Sequence, residues 1–316
     1  MGGLGLILPT FPQDSNALPA AHALVTLCRD AEGAGASALW ACDHLFWHGP
    51  SLETLTALGL AASATRAATI GSCVLQLPLR SVPALAKEAA GLQHLSEGRL
   101  VLGVGAGMHR GEYGATGVDF TVRGRHLDQG IDRLRHIWSA DPDSYPQLPV
   151  PTPIPVWIGG SSEAALRRAA RRGDGWIPLF VAPDEYAAAL GRLDKEADRA
   201  GRDPVELARA IVVFVSLGRD TVDSGLRWMS TLYGLPARSF ARHLVAGDAR
   251  TCATALARFV EAGAQHVAVF LTTDEPSTRF EELAGEFARQ AGELGPTEPG
   301  APVRSHGHGR REAVPS

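Results

Sequence analysis

Apolar and polar positions along this chain follow two periods that take turns. Short apolar runs rich in Val, Ile and Leu, of the kind buried on both faces of a parallel sheet, stand at residues 2–8, 37–44, 68–77, 99–107, 156–159, 175–180, 209–217 and 266–271. Between them lie stretches with apolar residues every third or fourth position, the mark of an amphipathic helix: 20–35, 52–65, 83–95, 124–138, 162–172, 183–200, 222–233, 249–262 and 280–294. Leu85, Ala89, Leu92 and Leu95 share one face of the 83–95 helix, as do Leu127, Ile131, Leu134 and Trp138 in 124–138. Strand-helix units in such succession predict an α/β fold, a single (β/α)8 TIM-type barrel over residues 1–294. An open doubly wound sheet is the main rival, but it needs fewer units.

Two segments stand outside the alternation. Residues 141–155 carry prolines at 142, 146, 149, 151, 153 and 155 and read as an extended seam between the two halves. Residues 295–316 lack an apolar face and read as a disordered tail; its His306 and His308 are read as part of that tail, not as a metal site.

Composition narrows the partners. Across 316 residues the chain is 45% hydrophobic and 20% charged with a net charge of -4, so it can bury a large core and has no basic footprint for nucleic acid. No apolar run is long enough to suggest a membrane span. The first nine residues lack a basic start and a cleavage pattern, so they read as a strand, and the protein is expected in the cytoplasm. Cys28, Cys42, Cys73 and Cys252 form no CxxC pair, which points to reduced thiols.

In such barrels the chemistry sits just after the C-terminal ends of the strands. Those positions here are Asp43 and His44, Cys73, Val74 and Gln76, Ala106, Gly107 and Met108, Gly159 to Ser162, and Trp176 to Phe180. A His at a strand end can exchange a proton near neutral pH; a residue that merely caps the loop is the plainer reading of His44. His44 and His48 have i,i+4 spacing, but no HExxH glutamate lies between them, so no metal is expected. Gly103 to Gly107 is GxGxG, not the dinucleotide pattern GxGxxG; its glycines leave room for a flat ring against backbone. Gly159, Gly160, Ser161 and Ser162 run straight into a helix, whose free amides and dipole favour an anion.

The stretch 65–115, TRAATIGSCVLQLPLRSVPALAKEAAGLQHLSEGRLVLGVGAGMHRGEYGA, resembles the bacterial luciferase-like flavin and deazaflavin oxidoreductases, and most closely the branch that uses the deazaflavin coenzyme F420. The resemblance covers about residues 4–180. It implies a bulge with a non-prolyl cis peptide at Cys73-Val74 behind the coenzyme ring, His44 beside the ring's reactive face, Trp47 as a pocket wall and the coenzyme phosphate at Gly159 to Ser162. Asp43, Gln76, Ala106, Gly107 and Trp176 complete the expected coenzyme contacts. Alcohol- and sugar-oxidising members of that branch place a glutamate acid where this chain has Met108, which leaves Glu112, His44 or Tyr113 as proton donor and favours reduction of C=C, C=N or C=O. An exposed, merely solvated loop residue is the plainer reading of Glu112. Arg123, Arg125 and Asp128 match a family pattern and are expected to pair structurally. The implied function is hydride exchange between F420 and a small organic substrate, in a homodimer packed through the 52–65 helix. An FMN-dependent monooxygenase is the alternative, and a non-catalytic barrel the second.

Overall fold

The eight apolar runs all form strands, and every strand pairs parallel to its neighbours. The computed structural model describes residues 3–11, 18–139, 148, 153–218, 221–273 and 275–293. In chain order the elements are β1 (Gly3–Ile7), α1 (Ala21–Gly33), β2 (Ala38–Ala41), α2 (Thr54–Ala64), β3 (Thr69–Ser72), β4 (Leu75–Gln76), α3 (Val82–Leu95), β5 (Leu100–Gly105), α4 (Arg110–Thr116) and α5 (Arg123–Ser139). They continue with β6 (Val156–Gly159), α6 (Glu163–Arg172), β7 (Gly175–Ile177), α7 (Pro183–Arg199), β8 (Ala208–Leu217), α8 (Thr221–Tyr233), β9 (Leu244–Gly247), α9 (Ala249–Glu261), β10 (His266–Leu271) and α10 (Pro276–Glu293). β10 pairs with both β1 and β8, which closes β1-β2-β3-β5-β6-β7-β8-β10 into a TIM-type barrel.

Alternation along the strands separates two apolar layers. Leu6, Leu39, Ile70, Leu102, Ile158, Val213 and Val269 point outward into the layer beneath the helices. Ile7, Trp40, Val101, Trp157, Ile177, Phe214 and Phe270 fill the barrel. The Trp40 and Trp157 rings lie 5.3 Å apart inside it. Glycines opposite make that possible: a Cβ on Gly71 would stand 2.4 Å from the Trp40 ring, and one on Gly175 2.7 Å from that of Trp157.

The departures from the sequence reading fall where the site lies. The second strand stops at Ala41, so Asp43 and His44 sit in the loop beyond it. The third run is broken after Ser72, and the peptide between Cys73 and Val74 is cis, as the family resemblance implied. α4 has no counterpart among the predicted elements, and neither has β9, which lies between the predicted helices 222–233 and 249–262 and pairs with the C-terminal part of β8. The tail beyond residue 293, and all of the proline segment except Leu148 and residues 153–155, lie outside the described residues. Among the described residues no helix is long and apolar enough to cross a membrane.

Candidate active site

The loop after β2 and the first turn of α4 meet around one carboxylate. Glu112 is wholly buried, against the expectation of an exposed loop residue. It accepts hydrogen bonds from the Leu45 amide (2.6 Å), the Phe46 amide (3.1 Å) and Gln76 Nε2 (3.1 Å), and faces His44 Nδ1 at 3.1 Å. Burial alone would raise its pKa. The bonds from His44, Phe46 and Gln76 outweigh that and hold Glu112 below the ordinary glutamate range. It is therefore an anion at neutral pH and a poor proton donor. A carboxylate on Nδ1 fixes the His44 tautomer, and no described residue bonds His44 Nε2, which is left to reach a substrate.

Because the folded pKa of Glu112 is depressed, its contribution to stability is complete above the ordinary value of 4.5 and is lost as pH falls through the lower folded-state value. Glu112→Gln should cost about 1–3 kcal/mol at pH 7, since buried donors lose their charged acceptor. Urea unfolding of both proteins at pH 7 and below pH 4 checks this: the gap between them narrows in acid, and a constant gap refutes the charge argument.

Asp43 is almost as buried, with 4% exposure. Its carboxylate is taken up by protein donors: Arg80 Nη2 at 2.6 Å, Thr54 Oγ1 at 3.0 Å and the Gln76 amide at 2.8 Å. It thus ties the loop after β2 to β4, with both carboxylate oxygens engaged by protein donors. Arg80, which sequence reasoning passed over, also binds Glu53 at 3.0 Å; its position directly after the LQLPL run was the available signal. The Trp47 ring stacks on the His44 imidazole, with centroids 3.8 Å apart at 26°, and its Nε1 donates to the Leu232 carbonyl at 2.5 Å. His109, Tyr233 and His48 pack around the same indole. None of the three was singled out as lining this pocket.

The glycines in the second half of β5 stand against protein atoms. A Cβ on Gly103 would stand 2.0 Å from the Ser72 carbonyl, and one on Gly105 2.6 Å from Val74. Gly159 of β6 faces the same side chain, at 2.7 Å. These glycines make room for the Cys73-Val74 bulge, and it is the bulge that fronts the barrel mouth. Gly107, at φ 65°, is held free of a side chain by the Gln76 amide, which a Cβ there would approach to 2.2 Å. The Ala106 carbonyl accepts the Tyr113 hydroxyl. Burial pushes that phenol up to about 12, so it stays protonated and is a weaker acid than an ordinary tyrosine.

At the end of β6, Gly160 has φ 100° and turns the chain into α6. Ser162 Oγ caps the helix by accepting the Ala165 amide at 3.2 Å. The amides of Ser161, Ser162, Glu163 and Ala164 have no acceptor among the described residues, which leaves a set of free donors at a helix N-terminus. Trp176 corrects the sequence reading: it points outward, wholly buried and stacked on Tyr186 at 5.3 Å. In-out alternation puts its flanking residues Gly175 and Ile177 inside the barrel instead. Trp176 reaches this turn only through Nε1, which donates to the Gly160 carbonyl at 2.8 Å. Asp128 pairs with Arg168 at 2.6 Å, not with Arg123 or Arg125; Arg123 lies over the Phe120 ring. Among the described residues no group of three or more His, Cys, Asp or Glu side chains converges as metal ligands would.

A family model for luciferase-like monooxygenases matches residues 3–223. An uncharacterized protein of Mycobacterium tuberculosis (strain ATCC 25618 / H37Rv) is 33% identical over 186 residues, 55% of this chain and 62% of that protein. A phthiodiolone/phenolphthiodiolone dimycocerosates ketoreductase of the same strain is 28% identical over 195 residues, 55% of this chain and 51% of the ketoreductase. The chain thus spans between about half and two thirds of the length of these curated relatives. Among solved structures, an F420-dependent secondary alcohol dehydrogenase in complex with an F420-acetone adduct superposes with a TM-score of 0.78 at 20% identity, over 91% of this chain and 99% of that one. The FMN complex of the oxygenating constituent of a Pseudomonas putida 3,6-diketocamphane monooxygenase gives 0.70 at 15% identity, over 92% and 99%. At these identities the superpositions speak for the fold alone.

Proposed function

We propose, from the premise that this chain belongs to the luciferase-like monooxygenase family, that it is an F420-dependent oxidoreductase acting as a reductase on a small organic substrate. The observation that carries this reading is buried Glu112 paired with part-exposed His44 at the C-terminal end of the strands, where the Cys73-Val74 bulge also lies. The residues fit such a coenzyme. Free amides from Ser161 to Ala164, with the Ser161 hydroxyl, suit its phosphate, and the bulge over Gly103, Gly105 and Gly159 offers a shaped surface to a flat ring.

The bound coenzyme supplies the hydride. The chain's own part is to manage the proton. In its doubly protonated form His44 gives the Nε2 proton to the substrate atom that gains negative charge and is left as the neutral ring with its proton on Nδ1, which Glu112 holds, while the Trp47 face fixes the plane of the imidazole. Met108, largely exposed, can transfer no proton.

Parallel titrations with F420, its reduced form and FMN test the reading, followed by the fluorescence of Trp47 against a Trp47→Phe control; Trp176 is too deeply enclosed to report. Micromolar F420 binding with much weaker FMN binding is the expected outcome. Preference for FMN would transfer the site to oxygen-dependent chemistry, and silence toward all three would leave a non-catalytic barrel.

A further inference from the structure

Two thiols stand together where the loop that carries His44 begins. Cys42 and Cys73 are both part-exposed, and their sulfurs lie 3.7 Å apart. Register explains the meeting. β2 and β3 run parallel with Ala41 opposite Ser72, so the next position in each chain is Cys42 and Cys73. Neighbouring strands are about 4.8 Å apart, inside the Cα separation of about 4.4–6.8 Å that a disulfide accepts. The main chain is anchored on both sides: the Cys73 amide donates to the Ala41 carbonyl at 2.9 Å, and Thr54 Oγ1 donates to the Cys42 carbonyl at 2.9 Å. Closing the gap to a bond of about 2.05 Å asks the side chains to turn and leaves the strands where they are.

Both side chains pack, like Trp47, against the apolar layer that fills the barrel. Burial first, and then the two thiols, push the Tyr233 phenol up, so the pair lies on the side of the pocket that Tyr233 shares with Trp47. The other cysteines offer a contrast. Cys28 of α1 and Cys252 of α9 are wholly buried, and burial pushes each thiol up to about 12, the setting of an inert structural cysteine.

We infer that Cys42 and Cys73 are a preformed dithiol which hydrogen peroxide closes reversibly to an intramolecular disulfide, a redox modification site tying the loop that carries His44 to the bulge. The inference stands on the thiol geometry and holds whichever coenzyme the barrel binds. Burial and the adjacent Cys42 push the Cys73 thiol above its ordinary range, so Cys42 takes the first step. Its thiolate attacks one peroxide oxygen and the O–O bond breaks; the sulfur becomes a sulfenic acid, and the released hydroxide leaves as water with the proton of the Cys42 thiol. The Cys73 sulfur then attacks the Cys42 sulfur, whose hydroxyl departs with the Cys73 proton as a second water. Two thiols have given up two electrons and two protons, all taken by the peroxide. A dithiol reductant reverses the bond by exchange.

The test treats the full chain with a small excess of hydrogen peroxide, quenches it, and counts thiols after denaturation. The count should fall from four to two, with the mass lower by two hydrogens and Cys42 joined to Cys73 in the peptide map; dithiothreitol should restore all four. The bond spans 31 positions, and with the strands undisturbed it should raise Tm by roughly 3–10 °C. Cys42→Ser and Cys73→Ser should show neither the cross-link nor the rise. Survival of all four thiols, a disulfide formed only between two chains, or oxygen added to one sulfur without a cross-link overturns the inference. A cross-link that lowers Tm overturns it too, for the pair would then not be preformed.

Discussion

His44→Ala is expected to lower the rate of hydride transfer by roughly 10²–10⁴-fold, the usual worth of a positioned acid, while leaving the F420 dissociation constant essentially unchanged. The separation follows from the layout. The free amides that suit the coenzyme phosphate lie at α6, whereas His44 lies across the mouth, on the loop after β2. Single-turnover kinetics with saturating reduced coenzyme isolate the chemical step. Glu112→Gln should fall between the two proteins, since it keeps the imidazole but weakens its orientation, a change that commonly costs 10–100-fold. If His44→Ala reduces substrate at the wild-type rate, the Glu112–His44 pair is structural and the acid lies elsewhere.

Gly103→Ala should be the most damaging small substitution in the chain. Its Cβ would stand 2.0 Å from the Ser72 carbonyl and 3.2 Å from Val74 Cγ1. The carbonyl is backbone, so relief means moving the β3–β4 break itself. Overpacking of this kind costs about 1–3 kcal/mol or more, a drop in Tm of roughly 2–10 °C. Coenzyme binding should weaken with it, because the displaced element is the bulge. Gly91→Ala is the control: nothing lies within 4 Å of the added carbon, and inside a helix the exchange stabilises by about 0.5–1 kcal/mol. Thermal unfolding of both variants checks the contrast, and equal Tm values would refute the packing account.

The barrel was legible because strands buried on both faces leave unbroken apolar runs, and eight such runs with helices between them leave few architectures. What escaped notice was local or long-range. β9 is four half-buried residues, LVAG, too short to show a period. α4 has seven residues and lies next to a glycine-rich run. The break at Cys73 interrupts GSCVLQL, a run whose composition gives no sign of it. Glu112 read as a loop carboxylate because the groups that bury and ionise it, His44, Leu45 and Phe46, come from 66 to 68 positions away. Trp176 could have been placed from sequence, for strand alternation sets it opposite to its two inward neighbours. Its misplacement came from giving weight to its position at a strand end without counting parity.

Val74, lodged against glycines of two neighbouring strands, restricts the routes by which this barrel mouth can diverge. A methyl group at Gly105 would strike Val74 Cγ2 at 2.6 Å, with the Val74 Cβ itself at a comfortable 3.8 Å. Val74→Ala would thus have to precede Gly105→Ala in any descent that passes through folded intermediates, whereas the opposite order meets a barrier at its first step. At Gly159 even the shortened side chain would leave its Cβ 3.3 Å from an added methyl, so that glycine should outlast both. Three positions that look independent along the chain are, as a lineage would experience them, a sequence of locks that open in one order.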